Sequence, residues 1–159
     1  MAAISAFDIF KIGVGPSSSH TLGPWRAAQR AVERWQELGV FDSIVAVEID
    51  LYGSLAKTGR GHMTDMAVML GLSNEDPVTC DTTAIPARID VIRRSRSIML
   101  GGLRPVRFDP VTDCRFNSLI SLRQHPNGMT FTALLADGSS AAETYYSIEI
   151  GRASCRERV

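Results

Sequence analysis

Cysteine is scarce in this sequence, and its spacing excludes several kinds of site. The three cysteines, Cys80, Cys114 and Cys155, lie far apart and form no CxxC pair. This spacing argues against a disulfide framework and against a zinc or iron-sulfur site held by this chain alone. Any such cluster would have to be bound elsewhere.

An excess of charge of either sign is also missing. The 17 lysines and arginines balance 17 aspartates and glutamates, so no net field draws the chain to nucleic acid or to an anionic membrane. No stretch approaches the roughly 20 apolar residues that span a bilayer, and the N-terminus lacks a basic region followed by an apolar run. We therefore expect a cytoplasmic protein with small neutral or zwitterionic partners.

Common catalytic motifs are absent as well. The chain has no paired-carboxylate pattern, no GxSxG, no GxxxxGK and no HExxH. The sequence therefore gives no support for a common hydrolase, a P-loop protein or a zincin. What is present is 159 residues with 45% hydrophobic content. That size and composition are typical of one ordinary globular domain with a real core.

Two segments carry the three- and four-residue apolar spacing of an amphipathic helix. The first is predicted over residues 24–38, with proline in its first turn and Gly39 at its C-terminal cap. The second opens at Pro86 and is predicted to end near the Gly101 and Gly102 pair. A short buried helix is predicted over residues 64–72, although the glycine at position 71 fits it poorly.

Strand patterns dominate elsewhere. Residues 44–52 alternate apolar and polar side chains with the two-residue period of a half-buried strand. Residues 129–135 and 143–148 are also strand-like, and Asp137-Gly138 between them is a turn dipeptide. Helices early and strands late predict an α+β domain over residues 1–148, with amphipathic helices packed on a mixed or antiparallel sheet.

The last segment differs from the rest. Residues 149–159, EIGRASCRERV, become abruptly arginine-rich and polar with no period. We interpret them as a non-native tail at a truncated end, and Cys155 is discounted with them.

A dense run of hydroxyl groups precedes the first predicted helix, where Ser17, Ser18, Ser19 and Thr21 surround His20. Hydroxyls and the unpaired N–H groups of a helix start can bind a carboxylate or a phosphate without net positive charge. The alternative is that these side chains only cap the helix and fill a turn. A cap needs one hydroxyl, however, and a turn needs no histidine.

Two further segments carry histidine. In residues 59–65, His62 could bind substrate or move a proton; alternatively, Thr64 or Asp65 only satisfies helix donors and His62 lies at the surface. His125 begins the sequence HPNG, which is typical of a turn into the following strand, and we assign it no role.

Residues 7–21, FDIFKIGVGPSSSHT, closely resemble the N-terminal signature of bacterial iron-sulfur-dependent L-serine dehydratases. Further segments agree in order: LYGSL at 51–55, TGRGHMTD at 58–65, HPNGM at 125–129 and TYYSI at 144–148. The resemblance covers nearly the whole chain up to residue 148. Beyond it the glycine-rich continuation of the family is missing, which supports the interpretation of a truncated end.

The resemblance implies the β part of a two-part L-serine ammonia-lyase, whose absent α part binds a 4Fe-4S cluster. In the family reaction, cluster iron acts as a Lewis acid on the hydroxyl of L-serine while a base removes the α-proton, giving pyruvate and ammonia. The implied substrate-site residues are Ser17, Ser18, Ser19, His20 and Thr21, with His62 and Thr64 as lesser candidates. His20 and His62 are the catalytic candidates, and the base stays unassigned. This chain alone is expected to be inactive.

Two other functions stay open. The family's β part is similar in fold to the allosteric substrate-binding domain of some D-3-phosphoglycerate dehydrogenases, so the chain could be a regulatory module for a small anion or amino acid. It could also be a structural or dimerisation domain whose hydroxyl loop is only a cap. The segments SSSHT and TGRGHMTD together favour the dehydratase. The sequence allows a homo-oligomer but does not fix the oligomeric state.

Overall fold

A seven-stranded mixed sheet forms the centre of the protein, and helices pack on it. The structure is a computed structural model that describes residues 19–59, 63–149 and 152–157, with the backbone alone at 148–149 and 152–157. The described helices are α1 (Leu22–Glu37), α2 (Gly53–Thr58), α3 (Thr64–Leu72) and α4 (Ile85–Ser95). The strands are β1 (Ile44–Tyr52), β2 (Ser97–Leu100), β3 (Arg104–Arg107), β4 (Cys114–Asn117), β5 (Gly128–Leu135), β6 (Ser140–Glu149) and β7 (Arg152–Glu157).

Strand β1 lies at the middle of the sheet and is paired on both edges. It runs parallel to β3 near its start and parallel to β4 near its end, while its other edge pairs antiparallel with β5. The strand order is β2-β3-β1-β5-β6-β7, with β4 continuing the β3 edge of β1. The prediction of an α+β domain with helices on a mixed sheet is therefore confirmed. The likeness to the dehydrogenase domain stays a prediction.

The core lies between the helices and one face of this sheet. Helix α1 contributes two tryptophans, Trp25 and Trp35, that are 1% and 0% exposed. From the sheet, Ile49 and Leu51 of β1 and Phe131 of β5 are fully buried in the same cluster. The apolar face of α1, which repeats every three to four residues, thus packs against the apolar face of β1, which repeats every two residues. No helix in the described ranges is long and apolar enough to cross a membrane.

The prediction of helix α1 is confirmed, and the helix begins at Leu22, two residues before the predicted start. It ends as the sequence predicts, because Gly39 adopts a φ of +73° and the Val40 N–H returns to the Trp35 carbonyl. This left-handed glycine satisfies carbonyls at the end of the helix. The helix at Thr64–Leu72, the strand at Ile44–Tyr52 and the Asp137-Gly138 turn between β5 and β6 are likewise confirmed.

The predicted extent of the second amphipathic helix is wrong. Helix α4 ends at Ser95, and Arg96 takes up a left-handed φ of +51° before strand β2 begins. Because a non-glycine residue reverses the chain here, the sequence carries no glycine stop signal until Gly101. The spacing of Ile92 and Met99 then mimics a continuing helix, although Met99 belongs to β2.

Glycine at position 71 has a packing explanation. A Cβ built there would lie 2.3 Å from the Trp25 carbonyl oxygen and 2.7 Å from the Ala28 Cβ, both on α1. Only a residue without a side chain lets α3 approach α1 this closely. The residue that weakened the helix prediction is therefore the one that allows the two helices to pack.

Polar side chains occupy the sheet face opposite this core. Arg115 donates to both carboxylate oxygens of Asp50, at 2.8 and 2.9 Å, and to Glu48 at 3.0 Å. Burial raises the pKa of Asp50, but hydrogen bonds from Arg115 and Asn117 and the guanidinium charge more than offset this, so the pKa lies below its ordinary value. Burial and the neighbouring Asp50 charge raise the pKa of Tyr52.

We predict that Gly71→Ala destabilises the protein. In an exposed helix the change would add up to about 1 kcal/mol of stability through helix propensity. Here the clash with α1 backbone outweighs that gain, and we expect a loss of about 1–3 kcal/mol in urea unfolding. Arg30→Ala, at an exposed site on α1, is the control and should stay within about 0.5 kcal/mol of wild type. A stabilised Gly71→Ala variant would contradict the close helix contact.

We predict that Asp50→Asn weakens the acid dependence of stability. A lowered folded-state pKa adds stability that is present above the unfolded-state pKa of about 3.9 and is lost as pH falls through the folded-state pKa. Because the Arg115 side chain is 41% exposed, the expected loss at pH 7 is only about 1 kcal/mol. Urea unfolding from pH 7 to pH 3 should show this difference shrinking below about pH 4. Parallel curves would disprove it.

Candidate functional site

His20 lies buried just before α1 and is held on both sides of its ring. Its Nε2 lies 3.0 Å from the Ser54 hydroxyl and 3.3 Å from the Ser54 carbonyl oxygen. Its Nδ1 lies 3.0 Å from the Ser19 hydroxyl. Since a carbonyl only accepts, a proton on Nε2 satisfies the Ser54 contacts and leaves Nδ1 to accept from Ser19. Both ring nitrogens therefore have hydroxyl partners within the protein.

Ser54 is in turn fixed by a loop far away in sequence. Its backbone N–H donates to the Pro126 carbonyl at 2.9 Å, and the N–H of Gly53 donates to the Ile120 carbonyl at 2.7 Å. Gly53 has a φ of +52°, and a Cβ there would lie 2.6 Å from the Pro126 oxygen. A side chain at this position would push the two segments apart. The close approach therefore requires glycine.

Thr64 joins the second histidine-bearing segment to the first. It is fully buried, and its hydroxyl donates to the His20 carbonyl. The preceding Met63 has a left-handed φ of +59°, a conformation that costs a non-glycine residue roughly 1–2 kcal/mol. The strained residue turns the chain so that Thr64 opens α3 directly beneath His20. Strain of this kind is often found at functional sites.

Thr21 does not act as a side-chain cap of α1, which was the alternative to its predicted role at the substrate site. It occupies the residue before α1 and is buried, yet its side chain makes no capping hydrogen bond; its carbonyl instead accepts from the Trp25 N–H at 3.0 Å. The alternative that the hydroxyls merely cap the helix therefore does not describe Thr21. Ser17, Ser18 and His62 lie outside the described residues.

A cleft of about 360 Å³ adjoins Ser54. Its walls come from helix α2 and from the loop between β4 and β5: Gly53, Ser54, Lys57, Thr58, Ser118, Leu119, Ile120, Ser121 and Pro126. The one charged group among them is Lys57, which is exposed. Hydroxyls and an ammonium are suited to an anionic or zwitterionic small molecule.

Sequence reasoning missed Ser54. The segment LYGSL matches the family in order, but one serine in a glycine-bearing stretch carries no signal of its own, and helix α2 was not predicted there. His125 behaves as expected of a turn, because its Nδ1 accepts from the Asn127 N–H at 3.0 Å. The structure thus brings together described residues of these four segments: Ser19 and His20, Ser54, Thr64 and Pro126.

The described residues offer no ligand set for a metal. Within the ranges that the structure describes, no group of three or more histidine, cysteine, aspartate and glutamate side chains could hold a metal ion. Cys80 is half-buried near α4, and Cys114 is buried in β4.

Comparison with known proteins identifies the family of this chain. The family described as serine dehydratase beta chain matches residues 5–156. The chain is 44% identical over 146 residues to L-serine dehydratase 1 of Escherichia coli K12, covering 91% of this chain. It is 46% identical over 148 residues to L-serine dehydratase of Mycobacterium tuberculosis, again covering 91%. L-serine dehydratase of Streptomyces coelicolor is 43% identical over 147 residues.

These matches also define how much of a relative the chain represents. It spans 32% of each of the three proteins, about a third of their length. Because the family match covers almost all of its residues, this chain belongs to the serine dehydratase beta chain family.

Proposed function

We propose that the chain is the β part of an L-serine ammonia-lyase, which converts L-serine to pyruvate and ammonia together with an α part. The observation that carries the proposal is the meeting of His20, Ser54 and Thr64, which come from three separate segments shared with the family. Family membership supplies the chemistry, and this meeting indicates where the chain contributes to it.

The chain's role in this proposal is to bind and orient L-serine. The hydroxyls of residues 17–21 and the N–H groups at the start of α1 are suited to the substrate carboxylate. The cleft beside Ser54 adds further hydroxyls and the Lys57 ammonium. Such contacts fix the α-proton and the leaving hydroxyl relative to groups on the α part, and fixed geometry lowers the barrier.

We assign His20 a positioning role and leave His62 as the candidate base. A general base needs a ring nitrogen within reach of the substrate proton. In His20 both ring nitrogens face protein hydroxyls, and the residue is only 8% exposed. The ring therefore ties Ser19 and the residues just before α1 to Ser54 of α2. Removing it would displace this segment rather than remove a proton acceptor.

A 4Fe-4S cluster, where the family uses one, would supply Lewis-acid chemistry at the substrate hydroxyl. The described residues of this chain do not fit such a group, because they provide no cluster of thiolates. We therefore assign the cluster to the α part.

The proposal can be tested in a chimera in which this chain replaces the matching third of E. coli L-serine dehydratase 1. After anaerobic iron-sulfur reconstitution, we expect pyruvate from L-serine, and none from the remaining two thirds alone. His20→Ala should reduce turnover by roughly 100-fold, because small displacements in a site cost about that much. His20→Gln keeps a hydrogen-bond donor toward Ser54, so its turnover should be at least about tenfold higher than that of His20→Ala.

The controls separate the possible outcomes. Arg30→Ala, on the exposed side of α1, should leave turnover unchanged. Equal loss in His20→Ala and His20→Gln, with both folded, would argue that His20 is the base. A folded chimera that makes no pyruvate would reject the dehydratase assignment and favour the regulatory module.

Ser54 gives an independent test of the positioning role. In the same chimera, Ser54→Ala removes the hydroxyl 3.0 Å from His20 Nε2, and we expect kcat to fall about tenfold. Ser54→Thr should restore most of the activity because it keeps the hydroxyl. Ser95→Ala, at an exposed site on α4, is the matched control. Unchanged kcat in Ser54→Ala would show that the hydroxyl does not hold the site.

A further inference from the structure

Two large apolar side chains stand in solvent beside the cleft. In the loop that connects β4 to β5, Leu119 is 98% exposed and Ile120 is 53% exposed. Leu119 has the highest exposure of the large hydrophobic residues in the described chain. Single exposed apolar side chains are ordinary on a protein surface. Two adjacent apolar side chains on the rim of a candidate site form a patch that a partner could bury.

The loop that carries them is tied down at several points. The Ile120 N–H donates to the Asn117 carbonyl at 3.2 Å, and the Ile120 carbonyl accepts from Gly53. Further along, the Tyr146 hydroxyl donates to Gln124 at 2.9 Å. Leu122 folds inward, since a Cβ at Gly128 would lie 2.6 Å from its Cδ1. The backbone is thus fixed while Leu119 and Ile120 remain outside.

This patch is continuous with the candidate site. The Ile120 carbonyl binds the residue directly before Ser54, and Ser54 contacts His20. Leu119 and Ile120 also form part of the cleft wall that contains Ser54. A surface that buries these two side chains therefore lies along the cleft wall and excludes water beside Ser54. Exclusion of water strengthens hydrogen bonds and charge interactions inside a site.

The length of the relatives indicates what covers the patch. The chain spans 32% of the E. coli enzyme, so about two thirds of such a protein lies outside this domain. Within the proposed function, that remainder has to meet the β part at the substrate site. We propose that the α part of the serine dehydratase docks on Leu119 and Ile120 and closes the cleft beside Ser54. This inference rests on the proposed function and specifies its interface.

Hydroxyl-radical footprinting tests the docking surface directly. The 159-residue chain alone is compared with the chimera described above, and labelling is read by mass spectrometry. Trypsin releases residues 116–123, which contain both side chains, and residues 108–115, which contain Val111. We expect labelling of Leu119 and Ile120 to fall at least fivefold in the chimera. Val111, which is 84% exposed in the loop before β4, should change less than twofold.

A variant pair adds a second readout. Leu119→Asp in the chimera should restore labelling of Ile120 toward the level of the chain alone, while Val111→Asp should not. Equal labelling of Leu119 and Ile120 in chain and chimera would overturn the docking surface. Protection without pyruvate formation would support docking and reject the dehydratase function. Pyruvate without protection would support the function and reject this surface.

Discussion

A buried hydrogen bond between two distant helix starts organises the candidate site. The Thr64 hydroxyl, at the beginning of α3, donates to the His20 carbonyl just before α1. Leaving that carbonyl unpaired in the interior would cost about 1–3 kcal/mol, so the two helix starts are locked in register. The same two helices approach closely at Gly71, where no side chain intervenes. The position of His20 is therefore set by helix packing.

The sheet supplies the other half of the site through the end of β1. The strand stops at Tyr52, and Gly53 then takes a left-handed φ that turns the chain into α2. This turn presents Ser54 to His20 on one side and brings Gly53 against Pro126 on the other. A helix of six residues has little stability of its own. Its place is instead determined by hydrogen bonds to the loop before β5, so the site depends on long-range contacts at each end.

The local hydrophobic pattern was sufficient to predict the helices and strands that bury one regularly repeating apolar face. Helix α1 and strand β1 follow their hydrophobic periods and their terminal glycine, and β5 and β6 follow from alternation and a two-residue turn. Strands β2, β3 and β4 were not predicted. Each has four residues, and β3 and β4 are stabilised by parallel pairing with β1 across more than 50 residues of sequence. Periodicity in a short window carries no information about such pairing.

The same limit applies to the site. His20 and Thr64 were predicted as site residues because they lie in family motifs. Neither motif indicates that the Thr64 hydroxyl donates a hydrogen bond to the His20 carbonyl. Ser54 had no local signal, since its importance comes only from lying against His20 in the folded chain. The residues missed by sequence reasoning are thus those whose role is created by tertiary contact. The prediction that residues 149–159 are a non-native tail stays a prediction.

Within the proposed function, an open site is what physical chemistry expects of one part of a two-part enzyme. Elimination from L-serine requires its carboxylate to be held and its hydroxyl to be polarised while water is excluded, which calls for groups on opposite sides of the substrate. The described residues provide hydroxyls and one lysine on the cleft wall, with the apolar rim of Leu119 and Ile120 beside them. The buried His20 contacts this wall through Ser54. A second wall is needed to bury that rim. The feature that makes the isolated chain incomplete is therefore also the feature that a partner can recognise.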